Sequence, residues 1–472
     1  MGFLPCSLPC QSKKKPLDSS DQTQSRHLSS NSSSSLISLS SRSLSLSLSS
    51  RSFSSQPSLP SIPSLSISSS QVENLSNTFH HCLATLTGHS SYIFCLSITE
   101  KHLYYGSSNG EILVWDINPS RQDNCLKENT VCRSGSAIKS IVIMGDKLFS
   151  AHQDHRIRVW KIDNETPNRN YKCIATLPTI NDRCMKLFWT RNYVQVRRHK
   201  KCTWVLLNFV FKIFNRDRTF LSILSCDHMY IISCFSKLNY IMSEQVHHVD
   251  TVSALALSKD GSLLYSASWD RTFKIWRSSD FKCLESVWNA HDDAINSIVV
   301  SNNGHVYTGS ADKKIKIWTK QQEGSNKHTL MTTLEKHKSA VNALALSTDG
   351  SVLYSGACDR SIIVWEKLQV LGALRGHKKS ILCLAVVSND LLCSGSADKT
   401  VRIWKRGFGK SCYSCLAVFE GHNGPVKCLT ATLDSQKYDD DDSCSGNSYM
   451  IYSGSLDCDV KVWKLWVPNY LS

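Results

Sequence analysis

From residue 82 onward, the chain repeats one rhythm of apolar and polar positions seven times. Each unit has an apolar stretch, a second stretch ending in Ser-Gly-Ser or a close variant, a turn, and a third stretch ending in Trp. The third stretches read GEILVW, HRIRVW, RTFKIW, KKIKIW, RSIIVW, KTVRIW and CDVKVW, and end at Trp115, Trp160, Trp276, Trp318, Trp365, Trp404 and Trp463. Short apolar runs bounded by turn residues predict strands. Six of the seven turns place Asp six residues before the Trp, at Asp154, Asp270, Asp312, Asp359, Asp398 and Asp457, while the first has Asn109. A His precedes the turn by about twenty residues in most units, at His89, His248, His291, His337, His377 and His422. A recurrence of this length marks units that bury a face only against their neighbours.

The unit GHKKSILCLAVVSNDLLCSGSADKTVRIW, residues 376 to 404, resembles a near-consensus WD repeat, and the resemblance runs from residue 82 to 464. It implies an all-β fold: a seven-bladed WD-repeat β-propeller whose blades are four-stranded antiparallel sheets. Within one blade, His377, Ser394, Asp398 and Trp404 can link loop, strand and indole N–H through hydrogen bonds, each contributing about 1 kcal/mol net. These residue types also make up a catalytic triad, but repetition around the ring argues for a structural staple. No enzymatic activity, metal site or cofactor is therefore expected. Only nine residues follow Trp463, so the strand in HCLATLTGH, residues 81 to 89, is expected to complete the last blade and remove its exposed edge.

Residues 1–76 contrast with the repeats at 77–472. They contain thirty serines and few large apolar groups, a composition that predicts a disordered tail. Its segment RSFSSQP, residues 51 to 57, resembles a 14-3-3 recognition site with Ser55 as phosphoacceptor. The N-terminus lacks a secretory pattern, and Cys6 stands where a myristoylation signal at Gly2 wants Ser or Thr. The Ser-rich, acid-poor composition is shared by transit peptides and regulatory tails, and the second reading is favoured.

Net charge is +15, with dense clusters only at Lys13 to Lys15 and Arg197 to Lys201. Among twenty cysteines only Cys412 and Cys415 form a C-x-x-C pair, without a second pair or a suitably spaced His. Reduced, mostly buried thiols are expected, in a cytoplasmic or nuclear protein.

One interval breaks the rhythm. Trp160 and Trp276 are 116 residues apart, against 39 to 59 elsewhere. LPTINDRCMKLFWTRNYVQVRRHKK, VHHVDTVSALALS and SASWDRTFKIWRSSDFKCLES resemble the plant JINGUBANG-like WD-repeat group, in which the basic segment leads almost directly into the next repeat. Here the 41 residues Val205 to Gln245 intervene, with five Phe and no Gly, Pro or Ala. That composition, and the codons available at its two ends, point to an intron translated in frame. Arg216, Asp217 and Arg218 interrupt its apolar run too early for a membrane span.

The WD resemblance places the Asp turns and His loops on one face, the top, where partners bind. Trp269 stands where the other turns carry Ser108, Gln153, Ala311, Cys358, Ala397 and Leu456, so an aromatic is expected at that face. Arg271, Asp292, Asp293 and the basic loop Arg197, Arg198, Lys200 and Lys201 are expected around it. The tract DSQKYDDDDSCSGNS falls on the opposite face and lacks the other ligands of a calcium site. The expected function is a monomeric protein-interaction scaffold, which the group resemblance makes a regulator of plant growth or development. A substrate receptor of a cullin-based ubiquitin ligase is the rival, but no third strand is followed by Trp-Asp-x-Arg. Nucleic-acid binding rests on basicity alone.

Overall fold

A computed structural model describes residues 62–65, 78–87, 90–117, 129–163, 170–179, 247–321, 327–407, 412–434 and 446–468. The regular elements among them are 28 strands in seven antiparallel sheets of four. Blades one to six are consecutive, spanning 93–133, 138–177, 252–287, 295–334, 341–374 and 381–419. Blade seven takes three strands from 426–468 and its fourth from Phe79–Leu86, which pairs with Val460–Pro468 from Phe79↔Trp466 to Leu86↔Val460. The expected seam is present.

The Ser-Gly-Ser pattern has a packing cause. In five blades, a Cβ on the second-strand glycine would lie 2.5 to 2.8 Å from a side chain of the next blade's first strand. Gly106 faces Ile138, Gly309 faces Val341, Gly356 faces Ile381, Gly395 faces Val426, and Gly454 faces Ile93, which brings the last blade back against the first. Blades two and three use the fully buried Ala151 and Ala267 there. Sheets that meet this closely need the smallest residues at the contact.

Each first strand carries one β-bulge against the second. The register jumps over Phe94, Lys139, Ser253, Asn296, Asn342, Leu382 and Lys427 in blades one to seven. A bulge re-aims the extra side chain. Here several of these side chains reach the neighbouring blade: Ser253 Oγ donates to Ile295 O at 2.5 Å, Asn296 Nδ2 to Val341 O at 2.9 Å, and Asn342 Nδ2 to Ile381 O at 2.8 Å.

Ile62–Leu65, inside the segment expected to be without order, is described in contact with the propeller, and Leu65 is buried. Ser55, the segment 205–245, and Arg197, Arg198, Lys200 and Lys201 lie outside the described residues. Of the twelve described cysteines, five are buried and none forms a disulfide. Burial pushes the thiols of Cys95 and Cys383 up to about 12.

Candidate functional site: the top face of the propeller

The top face is built on the staples. In blade six, Trp404 Nε1 donates to Ser394 Oγ at 2.8 Å, Ser394 Oγ meets His377 Nε2 at 2.8 Å, and His377 Nδ1 meets Asp398 Oδ2 at 2.9 Å. An indole N–H only donates and a carboxylate only accepts, so the seryl proton goes to Nε2 and Nδ1–H goes to the Asp. The same chain recurs in blades three, four, five and seven, headed by His248, His291, His337 and His422, with Thr308 replacing Ser in blade four. The Asp then caps the top loop, as when Lys378 N–H donates to Asp398 Oδ2 at 2.8 Å. Every one of these hydroxyl-bearing residues is fully buried, so no substrate reaches this triad-like set. Burial opposes ionisation of Asp270, but His248, Lys274 and Thr272 outweigh it and hold the carboxyl well below the usual range.

Blades one and two depart from this arrangement. Blade one has the fully buried Tyr105 at the hydroxyl position and Asn109 at the Asp position, and Ser107 Oγ donates to Asn109 Oδ1 at 2.5 Å. Blade two has no loop His, and an imidazole comes from the second strand instead. His152 Nε2 lies 2.8 Å from Ser150 Oγ, which also accepts from Trp160 Nε1 at 2.9 Å. Asp154 is then free of imidazole duty and binds Arg158 at 2.6 Å. Burial, reinforced by the Arg158 charge, lowers His152 to about 4. His152 was overlooked because it comes two residues before Asp154, and the other units place theirs in the preceding loop.

The staples present their turns to the mouth of the ring, and the bulged residues line the same end. Trp269 is half-buried in the blade-three turn, and its backbone N–H donates to Thr251 O at 3.0 Å. Its ring faces Lys139 of blade two, whose Nζ is 5.8 Å from the Trp269 centroid and 4.0 Å from that of Phe94 in blade one. Burial, with the nearby charge of Lys427, lowers Lys139 to about 8. Blades seven, one, two and three thus bring Lys427, Phe94, Lys139 and Trp269 to one arc. The half-exposed Tyr92 stands at its rim, where its N–H donates to Ser108 Oγ at 3.1 Å.

The other expected site residues are less concentrated. Arg271 occupies the left-handed position of its turn, with φ of 68°, and its carbonyl accepts from Ala290 N–H at 3.0 Å. Asp292 is exposed and reaches Lys314 Nζ at 3.5 Å, while Asp293 Oδ1 accepts from Ala294 N–H at 2.7 Å. Phe94, Lys139 and Lys427 were not anticipated. Their common place, the second residue of each first strand, was the available signal. A cavity of about 200 Å³ bounded by His305, Met331, Gly350 and Lys367 lies at the opposite end and touches none of them.

Seven four-stranded blades closed by an N-terminal strand, five of them held by a Trp-Ser/Thr-His-Asp staple, define a repeat propeller. The family profile described as "WD domain, G-beta repeat" matches residues 80–116, 238–277, 281–319, 328–366, 368–405 and 413–464, just over half of the chain, and the chain belongs to that family. Blade two, with its displaced imidazole, goes unmatched, whereas residues 238–245 of the anomalous segment fall inside a matched repeat. The protein ROOT INITIATION DEFECTIVE 3 of Arabidopsis thaliana is 30% identical over 178 residues, covering 33% of this chain and 39% of that protein. An uncharacterised WD repeat-containing protein of Schizosaccharomyces pombe is 26% identical, covering 45% and 61%. The zinc finger CCCH domain-containing protein 62 of Arabidopsis thaliana is 27% identical, covering 38% and 42%. The chain thus spans about two to three fifths of the length of these curated relatives. The WD40 β-propeller domain of Doa1 superposes with a TM-score of 0.53 at 18% identity, over 81% of this chain and 96% of that one.

Proposed function

We propose that this protein is a non-enzymatic interaction scaffold whose top-face mouth, on blades seven, one, two and three, holds an acidic segment of a partner protein. The observation that carries the reading is Lys139, a partly desolvated cation lying between the rings of Phe94 and Trp269 with Lys427 nearby. Among the described residues no carboxylate pairs with Lys139, and a cation in such surroundings gains from an incoming carboxylate or phosphate, while a half-buried Trp supplies apolar area that a partner can cover. Arg271, Asp292, Asp293 and the basic loop at Arg197, Arg198, Lys200 and Lys201 belong to the rim of the same proposed surface. The JINGUBANG-like resemblance, with a relative named for root initiation, supports a regulatory role in plant growth or development in the cytoplasm or nucleus.

The test compares Trp269→Ala, Lys139→Ala and Lys427→Ala in the full chain, by proximity labelling and by thermal melting. Loss of a shared set of partners from all three, by about tenfold or more, is expected with little change in melting. Unchanged partners with a lowered melting temperature would show that the arc only packs the top face. The tail is proposed to add a phosphorylation-dependent contact: a peptide of residues 51–57 phosphorylated at Ser55 is expected to bind a 14-3-3 protein in a titration, and its unmodified form is not.

A further inference from the structure

The described tail residues lie on the side of the propeller, away from the top face. Leu65 N–H donates to Ala373 O at 2.9 Å, Ala373 N–H donates to Pro63 O at 2.9 Å, and Tyr413 N–H donates to Leu65 O at 3.3 Å. Ser64 pairs with Ala373 in a parallel bridge. The segment therefore extends the sheet of blade five beyond its outer strand, Gln369–Leu374, and reaches the outer strand of blade six, Tyr413–Phe419. Its two apolar side chains enter different clusters. Leu65 is buried with Tyr354, Leu374, Trp404 and Tyr413, while Ile62 packs against the cluster that contains Trp365 and Ala373.

Blade five is shaped for this contact. A Cβ on Gly372 would lie 2.4 Å from Leu65 Cγ, so the leucine fills the space that the glycine leaves. Gly372 pairs with Val364, the residue before Trp365. At the equivalent pairing, blades two, three, four, six and seven have Ala175, Glu285, Thr332, Ala417 and Ala84, and each carries a Cβ. The socket accepts a leucine on blade five because the side chain is missing there. A free outer edge that takes backbone hydrogen bonds and alternate side chains is the general form of strand-addition recognition.

We infer that the outer edge of blade five is a docking site for an extended Ile-Pro-Ser-Leu segment, and that residues Ile62–Leu65 of the same chain are its occupant. The anchor ties residues 62–65 to the side of blade five. Tethering gives the tail an effective concentration of about a millimolar, so a free segment of the same pattern competes poorly.

Hydrogen exchange by mass spectrometry on the full chain tests this, read at residues 58–68 and 369–374. Leu65→Asp is expected to raise exchange at both places by about tenfold or more, and to leave blade two unchanged. Gly372→Ala is expected to do the same, because its methyl takes the socket. The double variant Leu65→Ala/Gly372→Ala should regain protection, since the smaller side chain fits beside the new methyl. A synthetic peptide of residues 58–66 at about millimolar concentration should protect 369–374 in Leu65→Asp and add nothing in the unaltered chain. The inference is overturned if Leu65→Asp exchanges like the unaltered chain, or if the peptide leaves 369–374 unprotected. Lack of recovery in the double variant would overturn the socket, and protection that grows with protein concentration would give the site to another copy's tail. None of these readings depends on the top-face proposal, which fails or stands on partner recovery alone.

Discussion

Replacing Trp404 with alanine is expected to lower folding stability by about 3–5 kcal/mol, measured by chemical denaturation of the full chain. The indole is 1% exposed, donates to Ser394, and packs in a cluster with Leu374 of blade five and Tyr413 of blade six. Its removal opens a cavity between two blades and leaves the Ser394 hydroxyl with one partner fewer. Trp115 of blade one is the internal control. It is half-buried in a blade with Tyr105 and Asn109 at the staple positions, so Trp115→Ala should cost less, about 1–2 kcal/mol. Equal losses in the two variants would show that the staple adds nothing to the burial of the ring.

Acid is expected to weaken the fold in two stages. His152 takes a proton near its ordinary 6.5 when unfolded but only near 4 when folded, where burial and Arg158 keep it neutral. The unfolded chain therefore binds more protons across this window, and stability falls as pH drops from 6.5 to 4, by about 2–3 kcal/mol from this group. His248 and His422 are lowered too, chiefly by burial, and act in the same direction. The second stage belongs to Asp270, Asp312, Asp359, Asp398 and Asp457. Each is buried enough to resist ionisation, yet its His partner and backbone N–H or hydroxyl donors hold it below the usual range. Their contribution is in place above about 3.9 and disappears as pH falls through the folded values. Urea denaturation from pH 7 to 3 should show both stages, and His152→Gln should flatten the first while leaving the second. An unchanged slope between pH 6.5 and 4 in His152→Gln would assign the first stage to other groups.

Much of the ring was legible in advance because its parts recur. Trp404, Asp398 and Ser394 stand at spacings that five blades share, and His377 at one that four of them share, and a pattern repeated around a ring is read more safely than any single copy. The Ser-Gly-Ser ends also showed in the sequence, although their reason, the close approach of Gly454 to Ile93 and its counterparts, is a contact between blades. Three features were not legible, each for a physical reason. His152 performs its task from another strand, so counting loop histidines passes over it. Lys139 and Lys427 read as ordinary alternating strand residues until a bulge turns them. Leu65 lies in a Ser-Leu alternation in which nothing marks one leucine from its neighbours, and the mark is on its receptor, Gly372. Trp269 was singled out in advance, but its neighbour Lys139 was not.

The seam in blade seven sets an order on how the chain is made. Cys82 pairs with Trp463, so the strand synthesised first among the blades has its partner only when the last one has left the ribosome. At roughly 5–20 residues per second, Phe79–Leu86 waits tens of seconds while six complete sheets form. Throughout that wait the nascent ring is open on both sides: Ile93 lacks Gly454, and the early strand offers unpaired amides to any passing chain. A stalled or shortened translation product would keep six sound blades and still be adhesive.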